Sequence, residues 1–186
     1  MTRSPRRPLA VALLLGLMTG CSASSSASPG SSVSSAAAPA SSDAAVIAGP
    51  GRLSYDGVTV DGDVGREPEF LIGDETQQTS SIQVRDVVVG TGATATAAGH
   101  VTVEYSARGA RGKRTFDSSW LRGKPFTFVP SKIAFSAFSS GVPGMRVGGR
   151  RLVIVPGSLA FAGKPPAGSG LAANETVVFV IDLVSV

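Results

Sequence analysis

A chain of 186 residues with 42% hydrophobic content has room for one ordinary domain and an end that is not part of it. The formal charge of +4 looks basic, yet three of the seventeen Lys and Arg are Arg3, Arg6 and Arg7, and without them 14 basic residues face 13 acidic ones. That near balance removes the electrostatic case for nucleic acid as a partner.

Residues 1–20 read as an export signal. Arg3, Arg6 and Arg7 make a positive start, and Pro8 to Leu17 is an apolar run too short to cross a hydrocarbon layer of about 30 Å as a helix. The run ends at Met18-Thr19-Gly20-Cys21, small residues followed by the single cysteine, an arrangement that resembles a bacterial lipobox. The expectation is a diacylated Cys21 at the mature N-terminus, anchored on the extracytoplasmic face of a bacterial cell membrane. The competing reading is an ordinary signal peptide with Cys21 incidental, and Arg6-Arg7 leaves the export route open. After Cys21 the chain to residue 45 is almost entirely Ser, Ala, Pro and Gly, which bury too little apolar surface to offset the entropy of ordering, so residues 21–45 are expected to form a tether behind the lipidated cysteine. As a flexible coil it would reach about 25 to 30 Å. Residues 46–186 are left as the folded domain.

Within that domain strands and turns dominate. Gly57 to Val60 and Glu69 to Ile72 suggest a hairpin. Ile82 and Val84 alternate with Gln83 and Arg85, as Val101, Val103 and Tyr105 do with Thr102, Glu104 and Ser106, the period of half-buried strands. Arg108, Arg111, Lys113 and Arg114 crowd a Gly-rich segment that reads as a solvated hairpin tip, since its spacing fits no phosphate loop. Phe135 and Phe138, three apart, suggest one short helix over about Ser136 to Val142, stopped by Gly141, Pro143 and Gly144. Arg151 to Val155 and Thr176 to Val184 are β-branched and almost continuously apolar, as central strands are.

Familiar catalytic equipment is sparse. His100 is the sole histidine and reads as a turn residue before a strand; there is no nucleophile elbow and no Cys/His cluster with metal spacing. Neither a metal nor a cofactor is expected. Asn174-Glu175-Thr176 matches a glycosylation sequon, which an export signal of bacterial type makes uninformative.

The positive signal is a set of segments in order: Phe116-Asp117-Ser118-Ser119, Lys124-Pro125-Phe126-Thr127-Phe128, Gly144 to Arg150, and Thr176-Val177-Val178-Phe179. In this order they resemble the FKBP-type peptidyl-prolyl cis-trans isomerases, best over residues 101–184 and more loosely back to Gly57. The resemblance implies an α+β fold in which an antiparallel β-sheet curls around one short α-helix. It also implies a shallow aromatic pocket for proline, with Tyr105, Asp117, Phe161 and Phe179 in catalytic positions and Phe116, Phe126, Phe135, Phe138 and Leu171 binding substrate. Asp117 equally suits a turn with Ser118 and Ser119, and Phe128 reads simply as core. Three departures bear on activity. Phe138 stands where the family has Trp, Phe161 where it usually has Tyr, and Ala172-Ala173 where two prolines usually follow the aliphatic flap residue. One lost hydroxyl bond, worth about 0.5 to 1.5 kcal/mol, predicts a weaker enzyme with its pocket intact.

The implied activity is rotation about X-Pro bonds, assisting the folding of exported proteins at the cell envelope. Its partners would be proline-containing exported polypeptides, macrolide inhibitors of the family, and the membrane through the lipid on Cys21. The alternative is the same fold kept as a binding or chaperone module with little turnover. A weaker third reading makes the aromatic cluster nothing but core.

Overall fold

The computed structural model describes Val46–Ile47 and residues 51–186. The export signal, Cys21 and the tether lie outside the described residues. In chain order, β1 (Val46–Ile47), β2 (Leu53–Tyr55), β3 (Val58–Asp61) and β4 (Glu69–Ile72) form an antiparallel sheet in that same order. The expected hairpin is there, with Val58 opposite Ile72, and β2 adds a strand that the sequence reading lacked. A 3-10 helix, Asp74–Gln78, leads to β5 (Gln83–Val88).

The second sheet holds β5, β6 (Val101–Gly109), β7 (Thr115–Ser118), β8 (Phe126–Phe128), β9 (Arg150–Val155) and β10 (Val177–Ser185). Its order is β5-β9-β10-β6-β7, with β8 also pairing to β6, and every pairing is antiparallel. This is the antiparallel architecture expected. It carries three one-turn helices where one was expected: α1 (Ser119–Arg122), α2 (Ser136–Ser139) and α3 (Gly157–Ala160). Single turns give no helical period to read and are stable only when packed.

Two apolar layers explain the continuous hydrophobic runs of β9 and β10. Side chains alternate across a strand, so Val153, Val155, Val177, Phe179 and Ile181 join the front core with α2, Val142 and Met145. Leu152, Ile154, Val178 and Val180 point to the rear, where Leu53, Val58, Val60, Phe70 and Ile72 of the first sheet cover them. Each such side chain, fully buried, contributes about 1.5 to 3 kcal/mol. Ser54, Thr59 and Leu71 face away, and Leu71 is 76% exposed.

The rear sheet is also fastened by polar groups. Arg150, fully buried, donates to Asp182 through Nε at 2.6 Å and Nη2 at 2.8 Å. The same guanidinium donates to the carbonyls of Gly62 and Arg66 in the β3–β4 connection, and Asp182 accepts from the Gly65 N–H at 2.8 Å. Tyr55 of β2 donates to Gln83 and accepts from Arg85 on β5.

A buried pair is costly to break from one side, because the surviving charge stays in a dry site. Arg150→Ala and Asp182→Ala are therefore expected to lower stability by about 3 to 5 kcal/mol, read from the urea midpoint, while Leu71→Ala changes it by less than about 0.5 kcal/mol.

Candidate active site

The run Phe116-Asp117-Ser118-Ser119 divides its labour residue by residue. Phe116 and Asp117 lie on β7, where Asp117 sits opposite Ala107 of β6. Ser118 caps α1, its Oγ accepting from the Leu121 N–H, and Ser119 fixes the helix to β6 by accepting from the Tyr105 N–H at 2.8 Å and donating to Glu104. Gly123, in a left-handed conformation with φ 63°, ends the turn as a C-cap. Arg122, the last residue of that turn, thereby reaches back to Asp117.

Five phenylalanines from four stretches of chain surround one open concavity of about 510 Å³: Phe116, Phe135, Phe138, Phe161 and Phe179. Phe138 and Phe179 meet edge to face with centroids 5.6 Å apart. Phe135 stacks on Phe161 at 5.0 Å and lies 5.3 Å from Phe179. Phe116 presents its edge to both Phe161 and Phe179. These spacings and angles are the favoured aromatic arrangements. Asp117 supplies a polar border, and Pro166, Ala167, Gly168 and Ser169 of the flap that follows α3 supply the remaining wall.

The other residues expected at the site do not line this concavity. Tyr105, 4% exposed, lies behind the wall with its ring 5.1 Å from Phe138 and 6.0 Å from Phe179. Phe126 stacks on the core residue Phe128 at 4.9 Å and borders a separate depression with Arg122, Lys124, Pro125 and Thr127. Leu171 lines a neighbouring concavity between the flap and the β6–β7 hairpin. His100 is exposed, directly before β6. Arg122 and the segment 166–169 were missed by sequence reasoning. The signal for the first was weak, a basic residue five places after Asp117; for the second it was the composition Pro-Pro-Ala-Gly-Ser-Gly of a loop.

Charge at the border is held in a closed triad. The Tyr105 hydroxyl donates to Asp117 Oδ2 at 2.6 Å and accepts from Arg122 Nη2 at 2.9 Å, and Arg122 Nη1 donates to Asp117 Oδ1. Burial, and then the hydrogen bond to Asp117, push the Tyr105 phenol up to about 12. Burial works against the charge of Arg122, but its bonds to Tyr105 and Asp117 outweigh that and raise its pKa. Both carboxylate oxygens of Asp117 thus have partners, which suits a fixed polar wall better than proton transfer.

The raised phenol has a definite sign in stability. The unfolded tyrosine loses its proton near its ordinary value of 10.0, before the folded one near 12, so stability present below pH 10 declines as pH rises through 12. Urea unfolding across this range is expected to show a decline in the native protein that Tyr105→Phe reduces.

Residues 92–184 match the family model described as FKBP-type peptidyl-prolyl cis-trans isomerase, which leaves β1–β5 before the matched region. The FK506-binding protein of Streptomyces anulatus is 37% identical over 108 residues, covering 58% of this chain and 87% of that protein. A probable FK506-binding protein of Corynebacterium glutamicum is 37% identical over 123 residues, covering 66% of this chain and 92% of its own length. The crystal structure of AtFKBP13 is similar at 26% identity with a TM-score of 0.48, over 56% of this chain and 91% of that one. With half of its length matched by the family model and nearly the whole of two relatives aligned, the chain belongs to the FKBP-type peptidyl-prolyl cis-trans isomerases.

Proposed function

We propose that this isomerase seats the proline of an X-Pro segment among Phe116, Phe135, Phe138, Phe161 and Phe179, and that its substrates are exported polypeptides folding at the cell envelope. The observation that carries this reading is the open concavity itself, apolar on most sides, bordered by one charge-balanced carboxylate and with no Cys, His or Lys in its lining. Its volume falls in the about 300 to 1,000 Å³ typical of small-molecule clefts.

The chemistry asks for no more than such a site offers. Rotation breaks no bond; it suspends amide resonance, which makes the uncatalysed barrier about 18 to 20 kcal/mol. The twisted amide has the smaller dipole, so water favours the planar ground state, and an aromatic enclosure takes that preference away. Phe179 and Phe138 form the floor, Phe161 and the flap cover one side, and Asp117, held by Tyr105 and Arg122, keeps the polar edge in place. Tyr105 supports the site by holding Asp117 and packing against Phe138 and Phe179.

Phe161 and Phe138 have no polar tip to hold the substrate backbone, which favours modest turnover. A pure binding module is the second reading, and it predicts proline-peptide binding with unchanged isomerisation. In the full chain, with a short Xaa-Pro peptide, Phe179→Ala is expected to lower kcat/KM at least about tenfold, whereas Phe161→Tyr raises it about twofold to tenfold. Equal rates with and without the protein at micromolar concentration would leave the binding module standing. A macrolide inhibitor of the family is expected to compete with the peptide under either reading.

The envelope location rests on the sequence of residues 1–45, with Cys21 as the lipid-bearing residue and the tether holding the domain off the membrane. Cys21→Ser is expected to move the protein from the membrane pellet to the soluble fraction; unchanged partitioning removes the lipid anchor from this account.

A further inference from the structure

Four charged side chains are buried among the described residues: Arg150, Arg151, Glu175 and Asp182. Arg150 pairs with Asp182 and Arg151 with Asp86, both within the sheets. Glu175, 5% exposed, serves two loops. Its Oε1 accepts from the backbone N–H groups of Arg111 and Gly112 at 2.8 and 3.0 Å, in the tip of the β6–β7 hairpin. Its Oε2 accepts from the Ala172 N–H at 2.7 Å, at the end of the flap. Charge-assisted bonds in a dry site are strong, and each donor left unmet carries a desolvation cost.

The surroundings make this joint a stiff one. The hairpin backbone comes so close that a Cβ on Gly109 would stand 2.4 Å from Glu175 Oε1 and 2.5 Å from Leu171 Cδ2. The hairpin is in turn held to the rear sheet by the Arg108 guanidinium 4.2 Å over the Phe70 ring, and to the 3-10 helix after it by Lys113, 3.0 Å from Asp74. Just past this end of the flap, Asn174 packs on the start of α3 so closely that a Cβ on Gly157 would overlap its carbonyl oxygen. Between these fixed points Pro165-Pro166 stiffens the middle of the flap, whereas the stretch from Gly168 through Gly170 to Ala172-Ala173 has no proline to restrict it. This flap supplies the wall at 166–169.

We infer that Glu175 is a positioning residue: by joining the Ala172 N–H to the hairpin tip it fixes the flap wall over the aromatic concavity and so sets how firmly a proline segment is held. The inference rests on the proposed use of that concavity, and it assigns Glu175 no contact with the reacting atoms.

Hydrogen exchange and isomerisation kinetics on the full chain test it with Glu175→Gln and Glu175→Ala. In the Gln variant the amide oxygen is drawn to the two hairpin donors and its NH2 group faces the Ala172 N–H, so the flap alone is released. Exchange over 163–172 should rise about tenfold or more in both variants, and at Arg111 and Gly112 in the Ala variant only, with β9 and β10 unchanged. KM should rise about threefold to tenfold with kcat within about twofold, the pattern of lost ground-state holding. Val60→Ala, in the rear core, serves as a control that lowers the melting temperature and leaves KM alone. Flap exchange and KM at native values in both Glu175 variants overturn the inference, as does a KM rise that Val60→Ala reproduces. If the native protein lacks isomerase activity, the enzymatic reading falls, and flap exchange still decides whether Glu175 holds the wall.

Discussion

Burial of β10 on both faces is the constraint on which the other features depend. A strand with a solvated rear would alternate apolar and polar residues; here Val178 and Val180 are as deeply buried as Phe179 and Ile181. The chain answers with a second sheet built from residues that precede the family-matched region. Because β9 and β10 are clamped between two apolar layers, the position of Phe179 is determined by the packing of the whole body. The floor of the concavity is thereby a continuation of the core.

The polar groups of the site follow a similar logic at smaller scale. Asp117 meets Arg122 through a strand-to-helix turn that returns it from five residues on, and Tyr105 across the pairing of β6 and β7, twelve residues back. Glu175 meets partners about sixty residues away. The first arrangement fixes a border and the second joins two loops, and in each case a carboxylate organises backbone or side-chain donors around apolar walls. No proton has to move in either, which accords with a reaction that only turns a bond.

How much was legible in the sequence depended on the range of the interaction. Period-two alternation located Val101–Tyr105 and Ile82–Val84 because pleating is a local property. The unbroken apolar runs at Arg151–Val155 and Thr176–Val184 announced burial on two sides, yet nothing local says what does the covering, so the rear sheet appeared only as an isolated hairpin and β2 was missed. The aromatic residues were legible as a set. Their division was not: Phe116 on β7 lines the concavity while Tyr105 on β6 stands behind its wall and Phe126 on β8 beside it, and no local pattern marks the difference. Glu175 was hidden inside a sequon, since a lone acidic residue before a strand carries no mark of the backbone donors that will reach it.

The placement of Met145 has a chemical corollary. From residue 51 onward its thioether is the only sulfur in the chain, and it is 2% exposed within the front core. An oxidant in solution meets no thiol there and no accessible methionine, so conversion to sulfoxide must wait for the core to open. Loss of this sulfur in an oxidising medium is then governed by how often the front core opens.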